Sequence, residues 1–372
     1  MARIVVVGSL AESLTIFRGA LIKKMLTAGH EVIACAPDAD QRTRAALYAM
    51  GVDYWDIKLE RVGMNALHDI RSFLDLYRLF RQIKPDVFLG YTIKPVVYGA
   101  TAARLAGVPA IFSMIEGLGY AFLGKGIKSK LAGAVASVLY RLALLCSRKV
   151  FFLNHDDLAV FLQRRLVKQE QVVMLNGIGV DLKRFTEAEF PQQISFLLIA
   201  RLLRDKGVRE YTAAAQTVKQ RYPQVRFRLV GWIDEENPAT ISQAELNGWV
   251  ESGVVEYLGR LDDVRPAIAD ASVYVLPSYH EGMPVTVMEA MAMGRPVITT
   301  DAPGCREAVQ DGDSGLLVAV GDVEALVQAM TYFIENVYEI ERMGHASRRI
   351  SEEKFDVHKV NSKMLAAMGL GR

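Results

Sequence analysis

Cysteine is scarce in this 372-residue sequence: Cys35, Cys146 and Cys305 are the only three. They are far apart and odd in number, and no histidine cluster accompanies them. That excludes a disulfide framework and a zinc cluster, and it fits a reducing compartment. Long hydrophobic runs are missing too. The longest apolar tract, Leu131 to Leu145, is interrupted by Arg141 and is too short to span a bilayer. The amino terminus, MARIVVVGSL, reads as a first strand and lacks the apolar region and cleavage site of a signal peptide. The expected location is therefore cytoplasmic. Gly8 is followed by no glycine until Gly19, so the dinucleotide fingerprint is absent, and neither a P-loop nor a Gly-x-Ser-x-Gly elbow occurs. NAD-dependent, P-loop and serine-hydrolase chemistry are disfavoured accordingly. No short internal repeat and no low-complexity segment appears.

Acidic residues are missing from one long stretch. Between Gly117 and Lys149 there are six basic residues and no acidic one. Residues 1–190 hold 25 Lys+Arg against 17 Asp+Glu, a balance of +8, whereas the remainder holds 19 against 25, a balance of −6. A basic amino-terminal half points to an anionic partner, such as phospholipid or a diphosphate-bearing acceptor. No nucleic-acid recognition motif accompanies the charge. The Asp38-Ala39-Asp40 and Asp311-Gly312-Asp313 triplets have the spacing that can hold a divalent cation, but Asp and Gly also gather in turns, so no metal is expected at either.

What is present is α/β alternation, twice over. The first half gives strands at Arg3–Val7, Glu31–Ala36, Asp86–Leu89, Ala110–Met114 and Val150–Leu153, with helical stretches between them. From about Pro191 the pattern restarts, with strands at Ser195–Ala200, Val225–Val230, Val254–Leu258, Ser272–Leu276 and Pro296–Thr299. Such alternation predicts two parallel sheets covered by helices, with ligands at the carboxyl ends of the strands. The boundary is expected near residue 190.

The segment LPSYHEGMPVTVMEAMAMGRPVI carries the most chemistry. A strand ends in a Pro-Ser loop, Glu281-Gly282 follows, and Pro284 suits the first turn of a helix. The amides of Gly282, Met283 and that first turn favour an electronegative ligand. Glu281 in the loop and Glu289 in the helix can divide a sugar and a ribose between them; alternatively, they are an ordinary helix-start charge and a solvated helix residue. Arg201 and Lys206-Gly207 follow another strand, where two cations can clamp a diphosphate and stabilise it as it departs.

Glu281-x7-Glu289 together with Arg201-x4-Lys206-Gly207 resembles the retaining GT-B glycosyltransferases often called family 4, over nearly the whole chain. The resemblance implies two doubly wound Rossmann-like domains facing a cleft: an acceptor-binding domain over 1–190, a nucleotide-sugar-binding domain over 191–354, and a terminal helix over 355–372 crossing back to the first. Ile115-Glu116-Gly117-Leu118-Gly119 and Pro277-Ser278-Tyr279-x-Glu281-Gly282-x-Pro284 look like bacterial N-acetylhexosaminyltransferases that act on polyprenyl-diphosphate-linked glycans. Many members have histidine where this chain has Glu116. Asn176-Gly177, then Val180-Asp181 and Phe185, is similar to the interdomain segment, with Ile178-Gly179 interposed.

The resemblance further implies that Arg201 and Lys206 hold the diphosphate and that Glu289 holds the ribose. Glu281, Gly282, Met283 and Pro284 would surround the donor sugar, Gly8 and Ser9 would approach the donor from the first domain, and the backbone at Arg260 and Leu261 would read the base. Glu116, Gly117, Asn176 and Asp181 fall on the acceptor or interdomain side. A UDP-sugar is the implied donor substrate, with no metal cofactor, and a lipid-diphosphate-linked saccharide is the implied acceptor. Lys125, Lys128 and Lys130, set among apolar residues, are expected to touch the anionic inner face of the cytoplasmic membrane. Two alternatives share these features: a UDP-N-acetylglucosamine 2-epimerase-like enzyme, which would turn over its nucleotide sugar without acceptor, and a non-catalytic sugar-nucleotide-binding subunit, which would bind UDP without transfer.

Overall fold

The computed structural model describes residues 1–60, 66–119, 122, 127–235 and 237–371, with the side chains of 66 and 127–131 outside that description. The chain divides into two units, Met1–Ile178 with Val360–Arg372, and Gly179–Lys359.

In the first unit, β1 (Arg3–Val7), β2 (Glu31–Ala36), β3 (Asp53–Asp56), β4 (Val87–Tyr91), β5 (Ala110–Ile115), β6 (Lys149–Phe152) and β7 (Val172–Met174) form one parallel sheet. Its order is β3-β2-β1-β4-β5-β6-β7. In the second, β8 (Ser195–Ile199), β9 (Arg226–Val230), β10 (Glu256–Tyr257), β11 (Val273–Leu276), β12 (Val297–Thr300) and β13 (Gly315–Val318) pair in the order β10-β9-β8-β11-β12-β13, again all parallel. The central strands read as unbroken apolar runs because helices cover both faces. β4, for instance, is buried along its whole length. Strand order reverses between β1 and β4 in one sheet and between β8 and β11 in the other. Chains leaving the carboxyl ends of such a pair diverge to opposite faces and leave a crevice there, which is where ligands of open α/β sheets bind.

The division between units precedes the expected boundary near residue 190. Two arginines account for the difference by tying residues 179–190 to the second unit. Fully buried Arg295 donates to the carbonyls of Ala188 (2.9 Å) and Glu189 (2.7 Å) and stacks on Phe190. Arg348 donates to the carbonyls of Phe185 (3.0 Å) and Ala292 (2.6 Å). Helix Val357–Met368 begins at the edge of the second unit, and residues from Val360 onward group with the first. β3, β7 and β13 are unforeseen in the sequence. β3 is mostly exposed and β7 partly buried and only three residues long; they lie at opposite edges of their sheet, where pairing with a single neighbour defines them. The strand expected over Val254–Leu258 contracts to β10.

Candidate active site

The loops after β8 and β11 meet at the second unit's switch point. After β8 the chain passes Arg201 and a short 3-10 turn, Arg204–Lys206, into Gly207 and helix Val208–Arg221. Gly207 has φ +71°, and a Cβ there would stand 2.1 Å from the Pro277 carbonyl oxygen. Only glycine permits both that conformation and that approach. The Asp205 carbonyl accepts from the Tyr279 amide (2.9 Å) and the Ser278 hydroxyl (3.1 Å), so one loop is laced to the other. From below, the Glu281 amide donates to the Pro303 carbonyl (2.9 Å), and Gly304, at φ +76°, packs its backbone where a Cβ would be 2.2 Å from the Glu281 oxygen.

This bracing places Lys206 Nζ 2.6 Å from Glu281 Oε1, with the two side chains 16% and 15% exposed. Residues 75 positions apart thus form a partly desolvated, charge-assisted pair at the crevice. Arg201 Nη1 lies 3.0 Å from Asp234, a carboxylate only 8% exposed that the sequence reading missed. Both cations assigned to a diphosphate are therefore already aimed by carboxylates. Pre-aimed cations need little reorganisation when charge develops on a leaving group.

Gly282 is half-buried, Met283 is buried, and Pro284 takes the cap position of helix Val285–Ala292 instead of its first turn. No side chain caps that helix, which leaves its amino-terminal dipole uncompensated by a cap. Glu289 is neither fully solvated nor paired as an ordinary helix carboxylate. Burial raises its pKa to about 7; the Arg184 guanidinium opposes that shift, and the Asp263 carboxylate adds to it. Asp263 is itself clamped by Arg265 at 2.6 Å and titrates at about 2. Arg260 is exposed, with its guanidinium 4.7 Å over the Trp232 ring, and half-buried Leu261 follows it. Gly231 and Gly259 join these loops through an amide-to-carbonyl bond of 3.0 Å. Trp232 gave no motif signal in the sequence.

At the first unit's switch point, Gly8 follows β1 beneath Tyr91; a Cβ at Gly8 would be 2.3 Å from the phenolic oxygen. The Ser9 hydroxyl accepts from Thr92 at 2.9 Å, which joins the ends of β1 and β4. Glu116, just past β5, pairs with Arg18, a buried guanidinium that also stacks on Tyr91 at 4.5 Å. Desolvation lowers the Arg18 pKa to about 10. Arg18 and Tyr91 escaped the sequence reading because neither belongs to a motif. Gly117 follows at φ +155°.

Other expected site residues stand apart. Asn176 is exposed beyond β7. Asp181 Oδ1 accepts from the amides of Lys183 (2.9 Å) and Arg184 (3.2 Å), so its carboxylate serves its own turn. Lys125 lies outside the described residues, as do the side chains of Lys128 and Lys130. Within the aspartate triplets, Asp40 caps helix Gln41–Ala49 through the Thr43 amide, Asp311 accepts from the Leu317 amide, and Asp313 pairs with Arg349. Among the described residues, no three His, Cys, Asp or Glu side chains are grouped as metal ligands.

Two family models match this chain. The family described as glycosyl transferase 4-like domain matches residues 17–177, and glycosyl transferases group 1 matches residues 193–336. The chain is 29% identical over 334 residues to N,N'-diacetylbacillosaminyl-diphospho-undecaprenol alpha-1,3-N-acetylgalactosaminyltransferase of Campylobacter jejuni, covering 86% of each protein. It is 25% identical to UDP-Gal:alpha-D-GlcNAc-diphosphoundecaprenol alpha-1,3-galactosyltransferase of Escherichia coli, covering 72% of this chain and 71% of that one. Its fold matches sucrose-phosphate synthase from Thermosynechococcus elongatus with a TM-score of 0.80 at 17% identity, over 98% and 97% of the two chains. It also matches the Anabaena protein HepE in complex with UDP and glucose, with a TM-score of 0.77 at 17% identity over 99% and 100%. The two parallel-sheet units are those of the GT-B fold.

Proposed function

Because the chain belongs to the group 1 glycosyl transferases, we propose that it moves an N-acetylhexosamine from a UDP-sugar onto a polyprenyl-diphosphate-linked saccharide, with retention at the anomeric carbon. The observation that carries this reading is the Lys206–Glu281 pair at the switch point of the second sheet, with Arg201 on the same loop as Lys206. The substrate class draws its support from the two relatives above, whose names both specify a diphosphoundecaprenol-linked acceptor.

In this reading Lys206 and Arg201 take up the donor diphosphate, and Glu281 with the amides of Gly282 and Met283 orients the sugar. Glu289 accepts from the ribose hydroxyls, and the backbone at Arg260 and Leu261 faces the base. In the first unit, Gly8, Ser9 and Glu116 serve the substrate at the ends of β1 and β5. The bond from the anomeric carbon to the diphosphate oxygen breaks, and the acceptor oxygen forms its bond on the same face. The acceptor proton passes to the departing phosphate oxygen. A double displacement would need a carboxylate on the opposite face of the sugar, and the resemblance supplies none. The two cations neutralise the charge that builds on the leaving group, the part a divalent cation plays where such residues are missing.

The test is transfer assayed with a panel of UDP-sugars on a diphosphate-lipid acceptor, with and without EDTA. Product with a UDP-N-acetylhexosamine at a rate indifferent to EDTA is expected. Loss of activity in EDTA, restored by magnesium or manganese, would refute the cationic mechanism. Epimerised donor appearing without acceptor would replace the transferase reading.

A further inference from the structure

Over residues 132–145, the outer face of helix Ile127–Leu145 carries exposed aliphatic side chains where a solvated helix is ordinarily polar. Val135, Val138, Leu142 and Leu145 are each 49–59% exposed. At 100° per residue they fall within an arc of about 80°. The opposite side of the helix, with Gly133, Tyr140, Ala143 and Leu144, is buried against its own unit. Helix Ala100–Ala106 packs alongside and adds Leu105, which is 62% exposed. Four aliphatic side chains exposed on one face of a single helix mark a surface suited to an apolar partner.

Among the described residues, the charges on these two helices are basic. Arg141 lies at the margin of the aliphatic face, exposed, and exposed Arg104 is near enough to Cys146, next to Leu145, to offset part of the rise that burial gives its thiol pKa. Arg148 is exposed just beyond the helix. In sequence, Lys125, Lys128 and Lys130 precede the face, and no acidic residue occurs from Gly117 to Lys149. A second copy of the chain meeting this patch about a two-fold axis would set Arg141 and Arg104 against their own counterparts. An anionic bilayer accepts both parts: aliphatic side chains enter the interface, and the cations meet lipid phosphates. No described helix is long and apolar enough to cross a membrane, so contact is made from the surface.

We propose that the exposed aliphatic face of helix Ile127–Leu145, with Leu105 and its arginine margin, is a docking surface for anionic membrane. The inference rests on the reading above only in that a membrane-embedded acceptor gives docking its purpose. The full chain is sedimented with phosphatidylglycerol vesicles without substrates, and transfer is assayed separately with a short-chain, water-soluble acceptor. Wild type is expected to bind, less so at raised salt, since exposed charges are screened over about 10 Å at 0.1 M. Val138→Ser with Leu142→Ser, and separately Arg141→Glu, should each lower vesicle partitioning about tenfold. Transfer to the soluble acceptor should stay within about twofold, because none of the substituted residues is among those assigned to the substrates. Circular dichroism and melting confirm that the variants are folded. Vesicle binding of the double variant equal to wild type overturns the proposal. So does a wild-type dimer in gel filtration that the double variant converts to monomer, which would make this face a contact between copies. Failure of the wild type on every acceptor would overturn the functional reading and leave the vesicle result standing.

Discussion

Burial holds the Glu289 carboxyl at a pKa of about 7, inside the working pH range. As a carboxylate it accepts charge-assisted bonds from hydroxyls; as an acid it does so weakly. With a pKa near 7, UDP affinity should fall as pH drops through 7 and level off above about 8. Glu289→Gln should bind UDP roughly tenfold more weakly at pH 8 and lose most of that pH dependence, as titration calorimetry across pH would show. The stability sign runs the other way. The folded pKa lies above the ordinary carboxylate value, so the folded chain holds this proton more tightly than the unfolded chain. The stability that this adds is complete below about pH 4.5 and is lost as pH rises through 7. Glu289→Gln should therefore melt higher than wild type at pH 8 while binding UDP less well; a lower melting temperature would contradict the burial argument. Lys206→Ala removes a partly desolvated cation proposed to hold the donor diphosphate and should lower turnover on the order of a hundredfold or more. Glu281→Gln should lower turnover while leaving UDP affinity close to wild type. Equal losses of UDP affinity in the Glu281 and Glu289 variants would show that the two carboxylates do not divide sugar from ribose.

The loops, not the strands, decide whether those side chains meet. The 3-10 turn carrying Lys206 rests directly on the loop carrying Glu281, with Gly207 at their closest approach. Gly207→Ala places a methyl group 2.1 Å from the Pro277 oxygen and strains φ, so the turn must move. Stability should fall by about 1–3 kcal/mol. Turnover should fall more than that loss of fold predicts, because a displacement of about 1 Å at a reacting group costs on the order of a hundredfold. Comparing kcat with the melting temperature separates the two effects. An Ala variant that is less stable but fully active would mean that the lacing of these loops serves the fold alone. The Lys-Gly dipeptide is readable as a motif in the sequence. Its physical reason, a backbone contact with residue 277, exists only once β8 and β11 are neighbours.

The carboxyl-terminal helix is the element that makes each unit depend on distant sequence. Val360, Met364, Leu365, Met368 and Leu370 are all buried, and these residues group with the first unit. His30 Nε2 lies 3.4 Å from the Leu370 carbonyl, and Lys24 donates to Ser362. Burial of each large apolar side chain is worth about 1.5–3 kcal/mol. Deleting residues 360–372 should therefore lower the first unit's unfolding transition and expose it to protease, with less effect on the second. Calorimetry with limited proteolysis would show this. An unchanged first-unit transition would mean that the terminal helix contributes little to its stability.

The sequence by itself determined the fold class, because unbroken apolar strands alternating with amphipathic helices admit few other arrangements. It also singled out Arg201, Lys206, Glu281 and Glu289 as the candidate site residues, since they sit in motifs set by strand ends and helix starts. Only tertiary structure decided what those groups face. Asp234 behind Arg201, Arg18 behind Glu116 and the burial that raises Glu289 all depend on neighbours dozens of residues away. The unit boundary was decided the same way. No composition change marks residue 178; Arg295 and Arg348 mark it, by donating to carbonyls that the chain presents only after folding. Local periodicity records which face of an element is buried. It does not record which partner buries it, and partner identity sets both the charge state of a site and the reach of a domain.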